Sequence, residues 1–177
     1  TATNSNGMNI LHIACESAKN IDIVRFIVSL NKININAKSN NGYTPLLYLC
    51  DNYNSSVEYI QIVKYFSSLP DVDLTVINQE GKNSLHMLCN RDKLQLVKHF
   101  VSLNKIDLTM KDDIGQNILH IACEKGSLDL VKYLISLDKI NVTEVDNNKK
   151  TSMHHSCLNK KYASTIIKYL ISLNKIN

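Results

Sequence analysis

The chain has 177 residues, of which 44% are hydrophobic and 20% charged, with a formal net charge of +4. That suits one ordinary domain with enough chain to bury a sizeable core. With five Gly and two Pro it is neither a flexible linker nor a turn-rich all-β chain. No run approaches the roughly 18 consecutive apolar residues of a membrane span, and no charged-then-apolar leader is visible at the N-terminus. Five cysteines, an odd number, argue against a closed disulfide framework. A reducing, intracellular and cytoplasmic setting is therefore expected. The mild basicity is too weak to imply nucleic acid. Asn, Ile and Lys supply about a third of the chain, which points to codon bias rather than chemistry. Thr1 stands where Met would be in a complete chain, so an excised piece is expected.

In chain order, one phrase recurs five times. It opens as Ile10-Leu11-His12-Ile13-Ala14-Cys15 and weakens to Pro45-Leu46-Leu47-Tyr48-Leu49-Cys50 and Ser84-Leu85-His86-Met87-Leu88-Cys89. It returns unchanged as Ile118-Leu119-His120-Ile121-Ala122-Cys123 and closes as Ser152-Met153-His154-His155-Ser156-Cys157. A second phrase follows each, beginning at Val24, Val63, Val97, Val131 and Ile167. The cysteines are spaced by 35, 39, 34 and 34 residues. Five tandem units follow, at roughly 4–38, 39–77, 78–111, 112–145 and 146–177.

Each unit reads as two short amphipathic helices. In the fourth unit these are predicted near 118–125 and 128–137, with Leu130, Val131, Leu134 and Leu137 at helical spacing. Asn9, Thr44, Asn83, Asn117 and Thr151 stand where a side chain caps the first helix. Gly126, between the helices, is expected to be left-handed. The Asn- and Asp-rich stretch between units suits an extended arm, turning at Gly7, Gly42, Gly81 and Gly115. Lys149 replaces that glycine in the fifth unit, so a deformed last arm is expected. The second unit carries five extra residues around 53–59. A unit this small cannot bury its own apolar face, so the units must stack as a solenoid.

These residues resemble an ankyrin repeat array. Thr44-Pro45-Leu46 keeps the family's T-P-L phrase, His12, His86, His120 and His154 keep its His, and Leu130-Val131-Lys132-Tyr133-Leu134 matches its second-helix phrase. Asn-Lys-Ile or Asp-Lys-Ile, at 31–33, 104–106, 138–140 and 174–176, replaces the usual Gly-Ala and lengthens the unit by one residue. The resemblance implies an all-α repeat solenoid of stacked helix-turn-helix units joined by hairpin-like arms. It also implies that the His side chains bond main chain between adjacent repeats.

Several candidate chemistries meet plainer explanations. Cys15, Cys50, Cys89, Cys123 and Cys157 share one repeat position, read as small buried filler. Helices in a stack lie ~8–10 Å apart, too far for equivalent cysteines to pair. His-x-x-Cys in four units hints at zinc or a thiol nucleophile, but a ladder spreads its ligands along the stack. No metal and no cofactor are expected. His155 breaks the pattern at an otherwise apolar position. Arg25, Lys64, Lys98, Lys132 and Lys168, with Lys32, Lys105, Lys139 and Lys175 beyond, form basic ladders without an interleaved aromatic platform. They read as a solvated back rather than a nucleic-acid or membrane surface. Glu80, Asp112, Asp113 and Asp146 would make the fingertips acidic. The acceptor patterns at Asn54 and Asn141 are attributed to chance in an Asn-rich chain.

The expected function is a non-enzymatic module that binds another protein through arm tips and inner helices. On the arms the expected contacts are Asn41, Tyr43, Glu80, Lys82, Asp113, Ile114, Gln116 and Lys150. On the ends of the first helices they are Glu16, Asp51, Asn90, Arg91, Glu124 and Lys125. Tyr43 and Ile114 are the expected anchors. The competing possibilities are an architectural spacer or piece of a longer array, and a metal- or thiol-dependent enzyme. For the spacer or longer array, bare apolar faces are expected at Ile10, Ile13 and Ile23 and at Ile166 and Leu170. A monomer, or further repeats of the same chain, is the expected assembly.

Overall fold

The computed structural model describes residues 2–17, 20–52 and 54–173. Among the described residues, ten helices fall into five pairs. The first pair is α1 (Ile10–Ser17) and α2 (Ile21–Ser29), the second α3 (Pro45–Cys50) and α4 (Val57–Ser68). Next come α5 (Ser84–Asn90) with α6 (Leu94–Ser102), and α7 (Ile118–Lys125) with α8 (Leu128–Ser136). The last pair is α9 (Ser152–Ser156) and α10 (Ala163–Ser172). The odd-numbered helices pack in sequence, α1 on α3, α3 on α5, α5 on α7 and α7 on α9, and form the inner layer. The even-numbered helices lie behind them, α2 against α4, α4 against α6 and α8 against α10. This is an all-α repeat solenoid, and one continuous core runs through it from Leu11 to Leu170.

The Asn-x-x-His phrase explains where the inner helices start. The Asn117 side chain accepts the His120 N–H at 3.1 Å, and the His120 ring nitrogen Nδ1 accepts the Asn117 N–H at 3.2 Å. Asn83 and His86 repeat the arrangement. It is a capping box in which His takes the place of the usual Glu or Gln. Two orphan N–H groups are satisfied within five residues of chain, so even an eight-residue helix has a defined start.

The arms close in tight turns. Gly7, Gly42, Gly81 and Gly115 sit at φ 72–79°. Each turn also receives the arm of the following unit, whose main chain donates an N–H to the arm tip before it. These bonds run Asn40 to Asn6 at 2.9 Å, Gln79 to Asn41 at 3.4 Å, Asp113 to Glu80 at 3.1 Å and Asn147 to Ile114 at 3.1 Å. Short bridges, Lys111 with Asn117 and Val145 with Thr151, give the last two arms their hairpin character.

Several expectations need correction. Gly126 is extended, at φ −90° and ψ 176°, because Ser127 already caps the next helix; a Cβ there would lie 2.8 Å from the Ala122 carbonyl. Asp92 takes the left-handed place in the third unit, at φ 52°. Asn31, Asn104 and Asp138 do the same after the second helices, which is what the Asn-Lys-Ile substitution supplies. Lys149 adopts φ 60° without deforming its turn, since its N–H still reaches the Asp146 carbonyl at 3.0 Å. Cys157 is exposed, unlike the other four cysteines, which are buried between stacked units. Ile166 and Leu170 are fully buried, and among the described residues of the last unit the bare apolar side chains are Leu158 and Ile171. The extra residues of the second unit bring Tyr59 into the core, its hydroxyl donating to the Leu49 carbonyl at 2.8 Å. Tyr53 and Lys175 lie outside the described residues.

Candidate functional site

The inner helices and arms enclose a concave cleft of about 390 Å³ spanning units two to four. Ten of the residues expected at a contact surface line it: Tyr43, Asp51, Glu80, Lys82, Asn90, Arg91, Ile114, Gln116, Glu124 and Lys125. Register brings them together, because each occupies one of a few repeat positions that recur every 34–39 residues on the same side of the stack. Asn41 borders an adjoining depression shared with Tyr43, Tyr48 and Asp51. Glu16, Asp113 and Lys150 are exposed outside the cleft.

Two lining residues escaped the sequence reading. Met87 and Ile121, both buried, form an apolar floor. They follow His86 and His120 directly, one step along the inner helix, and Tyr48 and His155 hold the same repeat position. That position was the available signal. Ile114, 49% exposed, adds an apolar edge from the arm.

The charges of the cleft are paired. Arg91 reaches back from the third unit to Asp51, its NH2 group 2.9 Å from the carboxylate and its Nε 2.8 Å from the main-chain carbonyl. Lys82 bonds Glu80 at 2.7 Å, and Lys125 bonds Glu124 at 2.7 Å. Tyr43 is half-buried and donates its hydroxyl to Asp51 at 3.3 Å. Burial first, and the Asp51 charge second, push its phenol up to about 12. The cleft thus presents a locally neutral wall around an apolar floor.

At the edge of the cleft, His155 is buried between two carboxylates, 3.2 Å from Glu124 and 3.0 Å from Asp146. The His120 ring meets it edge-on at 5.2 Å. Burial alone would raise both carboxylates. Hydrogen bonds from Lys125 and His155 to Glu124, and from the Lys150 N–H and His155 to Asp146, outweigh it and hold both below the ordinary range. Asp146 and Asp112 are buried inside their turns, so the acidic fingertips reduce to Glu80 and Asp113.

The remaining histidines divide. His12 donates Nε2–H to the Tyr43 carbonyl of the next unit at 3.1 Å, and His120 donates its own to the Glu144 carbonyl on the arm that leads to the next unit, at 3.0 Å. Among the described residues, Nε2 of His86 is buried without a hydrogen-bond partner, and the exposed His154 engages Thr151. Burial lowers the affinity of His12, His86 and His120 for a proton. The buried thiols are raised by the same cause, Cys123 to about 12. Among the described residues no group of three His, Cys, Asp or Glu side chains could hold a metal ion, and no helix is long and apolar enough to cross a membrane.

The back of the molecule also differs from expectation, since rings do interleave with its cations. Arg25 lies 5.1 Å from the Tyr65 ring centroid, Lys98 5.4 Å from that of Tyr133, and Lys132 5.6 Å from that of Tyr169. Each cation comes from one unit and each ring from the next. Such contacts contribute about 0.5–1 kcal/mol at exposed sites. They tie neighbouring units together and cover the ring faces that a base would stack on.

Comparison with known proteins gives a concordant result. No curated protein matches the chain. The family model for ankyrin repeats matches three times, over residues 1–76, 54–143 and 85–177. Ankyrin repeats are in general non-enzymatic protein–protein interaction scaffolds. With the family's model spanning the whole sequence and five stacked helix pairs in the fold, the chain belongs to the ankyrin repeat family.

Proposed function

We propose that this chain is a non-enzymatic protein-binding module whose concave cleft takes a segment of another protein. The observation that carries this reading is the convergence of ten register-selected side chains on one cleft with an apolar floor at Met87 and Ile121. The ion pairs Asp51–Arg91 and Glu80–Lys82 fix the wall side chains before a partner arrives, which lowers the ordering cost of binding. Ile114 and Tyr43 serve as the anchors. The module works in a reducing, cytoplasmic setting, a reading supported by its five free thiols.

The test is partner capture by proximity labelling in cells, comparing the wild type with Ile114→Asp, Glu124→Lys and, on the back, Lys105→Glu. The cleft variants should lose a set of partners that Lys105→Glu retains. An identical set for all four proteins would defeat the reading. An architectural spacer is the second reading, favoured by the bare apolar side chains Ile10, Ile13, Ile23 and Phe26 on the first unit.

A further inference from the structure

The charges that line the cleft satisfy one another. Asp51 pairs with Arg91, Glu80 with Lys82 and Glu124 with Lys125. The second oxygens of Asp51 and Glu124 are engaged by Tyr43 and His155. Three carboxylates therefore face three cations, with no sign in excess. A charged side chain entering this space would give up hydration and meet no unmatched opposite charge.

Two lining side chains are different. Asn90, at the end of α5, and Gln116, on the fourth arm, both border the cleft and are partly buried. Among the described residues, theirs are the polar lining side chains that make no hydrogen bond within the molecule. A carboxamide offers an acceptor and two donors without charge. The group that matches it is another amide, and a peptide main chain supplies one per residue.

The floor adds a spacing. Met87 and Ile121 hold the same repeat position in α5 and α7, and these helices pack directly on each other. Packed helices lie about 8–10 Å apart. Side chains on one face of a β-strand recur every two residues, ~6.8 Å, which is too short. In a polyproline II segment they recur every three residues, about 9.3 Å, which fits. That conformation has no internal hydrogen bonds, so its N–H and C=O groups are open to Asn90 and Gln116.

We infer that the cleft selects an uncharged polyproline II segment, with aliphatic side chains three residues apart over Met87 and Ile121 and its main chain held by Asn90 and Gln116. This rests on the cleft being a protein-binding site and adds what the site selects. Recognition is apolar and main-chain, so it is insensitive to ionic strength.

The probe is a displayed library of random dodecapeptides, selected on the wild-type chain and counter-selected on Ile114→Asp. Enriched peptides should carry two aliphatic residues three apart, with no charged residue between them. The affinity of a synthetic copy should change less than about twofold between low and high salt. Asn90→Ala and Gln116→Ala should each weaken it about tenfold. N-methylation of the amides between the two aliphatic residues should weaken binding to the wild type and leave binding to the double variant unchanged. Glu80→Gln, which leaves Lys82 without its carboxylate, should select peptides that gain Asp or Glu. Thermal melting of each variant separates lost binding from lost fold. Charged consensus sequences, a spacing of two or four, or affinity that falls steeply with salt would overturn the inference and leave the protein-binding reading standing. No enrichment over Ile114→Asp would overturn it as well, and the labelling experiment then decides separately whether the cleft binds protein.

Discussion

The fourth and fifth units carry the same phrases in the same register, yet corresponding residues meet different surroundings. Cys123 is sealed and Cys157 is open; His120 bonds the next arm and His154 faces solvent. Gly115 has an Asn side chain and a main-chain nitrogen pressed against it, whereas Lys149 has room for four carbons and a charge. Where the fourth unit has Ile121, the buried Asp112 oxygen has no hydrogen-bond partner, and His155, at the same position in the fifth, satisfies the matching oxygen of Asp146. In a one-dimensional stack, the neighbour decides what a position costs as much as the residue does.

The largest expected effect lies at the turns. Gly115→Ala forces an L residue to positive φ and drives a Cβ to within 2.7 Å of the Asn147 nitrogen. A loss of about 3 kcal/mol is expected in urea unfolding, from left-handed strain plus displacement of the next arm. Lys149→Gly, the mirror substitution, should gain about 1 kcal/mol by removing the strain of an L residue at positive φ. If both changes move stability by similar small amounts, the contrast between the two units is wrong.

Next comes the His155 cluster. His155→Ile, which copies the fourth unit, leaves Asp146 buried with one oxygen unbonded, and a loss of about 2 kcal/mol is expected. The converse change, Asn90→Glu with Ile121→His, should build a second such cluster around Asp112 and raise stability by about 1 kcal/mol. A double-mutant cycle measures whether the pair is coupled; additivity would show that the cluster does not transplant.

Acid should act in two steps. His12, His86 and His120 bind protons less readily folded than unfolded, so their contribution is complete above the ordinary His value near 6.5 and falls as pH drops below it. Glu124 and Asp146 are depressed in the folded state, so theirs is complete above about pH 4.5 and falls as pH drops through their folded values. Denaturation followed from pH 8 to pH 3 should show both, with the second step shallower in His155→Ile. A single step near pH 4 would rule out the histidine contribution.

The smallest effect is on reactivity alone. One thiol per chain, Cys157, should react rapidly with a disulfide reagent in native conditions, and Cys157→Ser should abolish that phase without changing stability. Cys15, Cys89 and Cys123 are raised by burial and react only on unfolding.

The fold was legible because a repeated phrase states its register five times. Ile118–Lys125 was read to the residue, and the second helix missed by one. The cleft was legible for the same reason: knowing which side of one unit faces inward fixes that side for all. What the sequence hid was whatever depends on the neighbouring unit. Cys157 and Cys123 look alike as letters, and only stacking separates them. The cations over Tyr65, Tyr133 and Tyr169 were hidden too, because each pair spans two units and lies 35–40 residues apart. His155 stood out as an exception to its column, but its two carboxylate partners come from different elements, α7 and the fifth arm.

The arm-tip bonds and the cation–ring contacts lie on opposite sides of the helix layers. Bending the solenoid tighter compresses one row while it stretches the other, and opening it reverses the roles. The molecule is therefore a beam reinforced along both faces. Its curvature is held against flexure in either sense, and the span from Tyr43 to Lys125 behaves as a gauge of fixed width against which a partner is measured.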